Sequence, residues 1–155
     1  MAWANYQEAI PLRYCCATGT ANGSVSLPTS GVYTNIPLSR WYTCSDSSLY
    51  TFSDGEIQVN ETGTYLISAS AYFTPGKAGE TKRLAICNGE GKYLADVQHW
   101  NMNVSQPNAI GISPRLVCLS AGQKLRLIGA GKYASTSSTI AIGNTATFLT
   151  VIKVG

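Results

Sequence analysis

The single histidine, His99, sits beside Trp100, so the chain offers no two-histidine metal site, and no Ser-His-Asp arrangement is marked out around it. It reads as a solvated loop histidine. The carboxylates are sparse: Glu8, Asp46, Asp54, Glu56, Glu61, Glu80, Glu90 and Asp96. A glycosidase needs two carboxylates facing each other across a sugar, and no pair here is singled out by spacing. Ser45-Asp46-Ser47-Ser48 and Asp54-Gly55 together carry enough oxygen for a calcium ion but lack EF-hand spacing. Gly89-Glu90-Gly91 and Gly129-Ala130-Gly131 do not follow a phosphate-cradle pattern and precede no helix, so they read as turn glycines. The chemistry therefore points away from an enzyme, a cofactor or a resident metal. The binding candidates are Trp100 and Tyr133, both in expected loops, which could stack on a sugar ring with Asn101, Asn103, Gln106 and Asn108 as hydrogen-bond partners. The plainer alternative has Trp100 plugging its loop onto the body of the domain.

Five cysteines, Cys15, Cys16, Cys44, Cys87 and Cys118, leave at least one unpaired, and adjacent Cys15 and Cys16 point to opposite faces of a strand. They read as free thiols acting as small hydrophobes, in keeping with synthesis in a reducing cytoplasm. Asn22-Gly23-Ser24, Asn60-Glu61-Thr62 and Asn103-Val104-Ser105 match the glycosylation acceptor, but no secretory signal accompanies them and no glycan is expected. Residues 1–10 lack a basic region followed by a long apolar run, and no segment approaches the ~20 continuous apolar residues that span a bilayer. No membrane role is expected.

The elements that must hold these residues are strands. Ile57 and Val59 alternate with Glu56 and Gln58; Asn60-Glu61-Thr62-Gly63 supplies turn chemistry; Tyr65, Ile67, Ala69, Ala71 and Phe73 then share one face. The stretch from Glu56 to Phe73 reads as a hairpin with one packed side. Asn88-Gly89-Glu90-Gly91 predicts a second hairpin between a strand at 82–87, with Leu84 and Ile86 inward, and one at 93–97. Residues 11–17 make a first strand, Val25 and Leu27 mark a short edge strand, and 32–36 and 41–44 are strand-like around Pro37. Residues 74–80 and 99–108 read as loops. Residues 110–119 form a strand in which Pro114 demands an edge or a bulge. In the last strand Phe148, Thr150, Ile152 and Val154 share one face while Leu149 and Val151 occupy the other. A strand apolar on both sides lies between two sheets or between a sheet and a partner subunit. With no helix-period segment and strands at short intervals, the class is all-β.

The blocks Glu61-Thr62-Gly63-Thr64-Tyr65, Leu119-Ser120-Ala121-Gly122-Gln123 and the closing strand from Phe148 to Val154 occur in an order that resembles the C1q/TNF-like jelly-roll family. The likeness covers about residues 50–155; residues 1–50, with Trp41, Tyr42 and Cys44, fit no family pattern. It implies an antiparallel jelly-roll sandwich forming a homotrimer around a threefold axis, with Tyr65, Phe73, Leu125, Leu127 and Phe148 as interface candidates. It also implies binding and assembly in place of catalysis.

Composition agrees with one domain over 11–155 behind a short arm over 1–10. Charged residues make up 12% of the chain, against about 25% in an average soluble domain. Such a surface suits a protein that buries much of itself in a permanent assembly. A net charge of +3 without a basic patch excludes nucleic acid. The expected function is therefore a virion structural protein, a trimeric bacteriophage capsid decoration or head-fibre protein localised to the virion. Trp3, Tyr6 and Ile10 are its capsid-anchoring candidates and the major capsid protein or another virion protein its partner. The alternative is a host-attachment tip that recognises a host surface glycan through Trp100, Asn101, Asn103 and Tyr133. The absence of a fibrous stem or collagen repeat favours the first.

Overall fold

The computed structural model of the chain describes residues 11–74, 80–101, 108–132, 139–143 and 147–155. These form thirteen strands in two antiparallel sheets.

The first sheet contains β1 (Arg13–Thr18), β2 (Ser24–Ser26), β4 (Arg40–Cys44), β7 (Gly63–Phe73), β10 (Asn108–Leu119), β12 (Thr139–Ala141) and β13 (Phe148–Lys153). The eleven-residue β7 is its axis. One side of β7 pairs with β10, and the other pairs with β13 along residues 65–70 and with β12 at Tyr72 and Phe73. Beyond β13 come β1 and then the edge strand β4, and β2 lies outside β12. The second sheet runs β5 (Tyr50–Ser53), β6 (Glu56–Val59), β11 (Lys124–Lys132), β8 (Glu80–Asn88), β9 (Tyr93–Asn101), with β3 (Thr34–Asn35) also paired to β11.

Alternate residues of each sheet meet in one core. From the first come Tyr65, Ile67, Ala71, Phe73, Leu149 and Val151; from the second Ile57, Val59, Leu84, Ile86, Leu125 and Leu127. The periodicity placed Ile57, Val59, Tyr65, Ile67, Ala71, Phe73, Leu84 and Ile86 on a packed face, whereas it left the last strand and Leu125 and Leu127 open between core and partner; all of them are core. It did not fix their neighbours: β6 and β7 are not a hairpin but belong to different sheets, and Asn60-Glu61-Thr62 carries the chain from one to the other. Alternation reports which face is buried, and both strands bury against the same core. The second expected hairpin does form, β8 against β9 around Asn88-Gly89-Glu90-Gly91. Pro114 lies where the β10–β7 register shifts between Ile112 and Arg115, the bulge that its missing amide requires.

Two loop expectations need correction. Gly129-Ala130-Gly131 is not a turn but part of β11, paired with β8. His99, Trp100 and Asn101 are strand residues of β9, opposite Lys82, Thr81 and Glu80 of β8. A polar stretch of sequence is compatible with a strand here because β9 is the edge of its sheet.

Candidate functional site

The outer face of the first sheet is built by the residues that do not enter the core. In an antiparallel pair, directly opposed residues project to the same side. The register places Tyr14 opposite Ile152, Ile152 opposite Leu66, and Leu66 opposite Leu116, so four apolar side chains cross β1, β13, β7 and β10 in a single row. Leu116, at its end, is 65% exposed. The next rows are Cys16, Thr150 and Ser68, then Thr18, Phe148, Ser70 and Gly111. None of these residues is charged, although the last row continues from Thr18 to the exposed Arg40 at the β4 edge.

At the β4 side this face dips. Cys16 pairs with Thr43 and Ala17 with Trp41, so the register shift leaves Tyr42 as the extra residue, standing outward at 65% exposure. Tyr14, Cys16, Thr18, Tyr42, Thr43, Phe148 and Thr150 line the resulting hollow, which has a volume of about 360 Å³. The bulge also sends Trp41 inward, where its ring lies 5.2 Å from that of Phe52 in β5. β4 therefore closes one side of the sandwich and contributes to the outer face at once.

A charged cluster sits at one end of the sandwich. Arg13 donates through Nε to Asp46 (2.7 Å) and through both terminal nitrogens to Glu61 (3.0 and 2.7 Å); Lys153 donates to Glu61 as well (2.8 Å). Hydrogen bonds from Arg13 and then Lys153 hold the Glu61 carboxyl down at about 2. Ser48 and then Arg13 hold Asp46 lower still. The Tyr50 hydroxyl donates to the Arg13 carbonyl (2.9 Å) and accepts the Lys153 amide (3.1 Å), and the Tyr65 hydroxyl donates to the Glu61 carbonyl (2.6 Å). Carboxylates held this firmly in the ionised state do not serve as general acids near neutrality. This cluster is a clasp between β1, β13 and the turn before β7. It also settles Asp46: the Ser48 amide and hydroxyl and the Leu49 amide close a tight turn on its carboxylate. Asp54 lies in the β5–β6 turn at a φ of 53°. Among the described residues no group of three His, Cys, Asp or Glu side chains is placed to hold a metal.

The expected interface residues divide. Tyr65, Phe73, Leu125 and Leu127 are wholly buried within the chain, between its two sheets. Their strands are apolar because they face the opposite sheet. Phe148 does lie on the outer face, beside the hollow. Trp3, Tyr6, Ile10, Asn103, Gln106 and Tyr133 lie outside the described residues. Trp100 and Asn101 belong to β9 and Asn108 to β10, with their side chains outside what is described. Sequence reasoning missed Tyr14, Tyr42, Leu66, Leu116 and Ile152 as one surface. Its available signal was the outward set of β13; joining it to the other strands needed the pairing register.

No family model matches the sequence, and no curated protein matches it. Solved structures do match the fold. A structure of Eiger TNF from S. frugiperda is similar over 94% of this chain and 94% of that one, at 18% identity and a TM-score of 0.63. A crystal structure of murine APRIL at pH 5.0 is similar over 93% of this chain and 100% of that one, at 14% identity and a TM-score of 0.70. A second murine APRIL structure, at pH 8.5, gives 16% identity and a TM-score of 0.67. The fold is a C1q/TNF-like jelly roll, as the turn and strand motifs implied.

Proposed function

We propose that this chain is a non-enzymatic assembly protein, a homotrimer whose subunits join through the outer face of the first sheet. We further propose that it serves a bacteriophage particle as a capsid decoration or head-fibre protein. The observation that carries the assembly reading is the uncharged centre of this face: the Tyr14–Ile152–Leu66–Leu116 row and the adjoining hollow together leave apolar side chains from five strands facing outward, with Arg40 only at the β4 edge. Exposed apolar patches of this extent on soluble proteins mark interaction sites, and charge depletion is the compositional mark of an interface core. The particle reading is supported by the low charge of the chain.

Light scattering on the purified protein, followed by mixing with candidate capsids, tests both parts. A mass of about 50 kDa, three times 16.5 kDa, that co-elutes with particles supports the whole reading. A trimer that ignores capsids but adsorbs to host cells moves the function to host attachment. A stable monomer overturns assembly.

A further inference from the structure

Cys15 and Cys44 stand directly opposite each other on β1 and β4. One residue away, the Ser45 amide donates to the Tyr14 carbonyl (2.9 Å). That makes Tyr14/Ser45 the hydrogen-bonded position of the ladder and Cys15/Cys44 a non-hydrogen-bonded pair. Such pairs hold their Cα atoms at about 4.5 Å with side chains at their closest, within the roughly 4.4–6.8 Å a disulfide spans. Both side chains project inward: Cys15 is fully buried in the core and Cys44 packs against it, half-buried. Both are free thiols in this structure.

The other cysteines are placed elsewhere. Cys16 projects to the outer face opposite Thr43, away from Cys44. Cys118 lies on β10 opposite Thr64, and Cys87, in the second sheet, accepts a hydrogen bond from Arg126 Nε (3.3 Å).

We propose that Cys15 and Cys44 are a modification site, a pair that a small-molecule disulfide converts into a cross-strand disulfide fastening β4 to β1. Its value lies in the position of β4. This strand is the edge of its sheet, its ladder to β1 is broken by the register shift between Cys16 and Ala17, and its Trp41 reaches across to Phe52 of the other sheet. A covalent tie there fastens an edge of the sandwich whose ladder is interrupted and closes the loop that carries β2 and β3.

With oxidised glutathione the balance is simple. Cys44, the partly exposed thiol, loses its proton, and its sulfur attacks one sulfur of the glutathione disulfide; one glutathione leaves and takes up that proton. Cys15 then attacks the Cys44 sulfur, the mixed disulfide breaks, and a second glutathione leaves with the Cys15 proton. Two protein thiols are oxidised and one glutathione disulfide is reduced. Burial pushes the Cys15 thiol up, so it reacts second, at short range, and not first with reagent.

The test is to incubate the purified full chain with oxidised glutathione, block remaining thiols, and map peptides by fragmentation mass spectrometry. The expected product links Cys15 to Cys44, persists in Cys16→Ser and is absent from Cys44→Ser. The oxidised wild type melts several degrees above the reduced protein, whereas Cys44→Ser melts alike in both states. A link through Cys16, or Cys15 and Cys44 both fully blocked after oxidation, overturns the proposal. The fragmentation map of the wild type decides the matter even where a buried Cys15 variant fails to fold.

Discussion

Arg13 and Glu61, 48 residues apart in sequence, meet in a two-pronged ion pair at 3.0 and 2.7 Å, and Lys153 joins them from the last strand. The Glu61 carboxyl is depressed from 4.5 to about 2 in the folded chain by these hydrogen bonds, and Asp46 is lowered as well, first by Ser48 and then by Arg13. A carboxyl depressed by folding contributes stability that is fully present above its unfolded value and fades as pH falls toward the folded one. Thermal melts should therefore fall between pH 4.5 and about 2, modestly because the Glu61 side chain is partly exposed. Glu61→Gln should melt lower at neutral pH and lose less on acidification. Parallel curves for the two proteins would show that the clasp contributes nothing.

Gly63 opens β7 where the turn from the other sheet arrives, and a β-carbon there would overlap the Gly155 carbonyl oxygen and press on the Lys153 side chain. The same carbonyl accepts the Thr64 amide (2.7 Å). Gly63→Ala must displace backbone at the end of β13, so it should cost about 1–3 kcal/mol, the usual price of overpacking. Chemical denaturation would measure it. Gly122→Ala makes a useful control for crowding, since a β-carbon there meets nothing within 4 Å even though its φ of +86° adds strain.

Thr147, fully buried at the entrance to β13, accepts the Tyr72 amide (2.9 Å) on its hydroxyl and donates to the Ala141 carbonyl (2.5 Å). Its own carbonyl accepts the Thr18 hydroxyl (2.8 Å). Thr147→Val keeps the shape and removes the hydroxyl, taking its hydrogen bonds from the part-buried Tyr72 amide and Ala141 carbonyl. The expected loss is about 1–3 kcal/mol, with Thr147→Ser retaining most of the stability. Equal losses from both would point to packing of the methyl group instead.

Much of this was legible before any coordinates, and the limits have physical causes. Ile57, Val59, Tyr65, Ile67 and Phe73 announce their burial through a period of two, which any half-buried strand must obey. The Gly63-x-Tyr65 motif is readable because both ends are constrained: Gly63 by the Gly155 carbonyl and Tyr65 by its hydroxyl bond to Glu61. Pairing is different. Nothing local separates a turn that folds β7 back on β6 from one that delivers it to the opposite sheet. For the same reason Leu125 and Leu127 looked available to a partner, when the opposite sheet already covers them. The Leu116–Leu66–Ile152–Tyr14 row joins residues from four strands and exists only once the register is known.

That distinction between inward and outward apolar residues gives the sharpest test of the assembly surface. Phe148 lies beside the outer hollow, whereas Leu125 is wholly inside. If the chain assembles through this face as proposed, Phe148→Asp places a charge in the contact and lowers the mass in solution to that of one chain, with the melt still that of a folded protein. Leu125→Ala should do the reverse: a loss of about 2–5 kcal/mol from the core cavity, with the stoichiometry of whatever remains folded unchanged. Light scattering and thermal melts on both variants decide between the two surfaces. Should Phe148→Asp remain fully assembled while Tyr42→Asp does as well, the subunits meet on some other face.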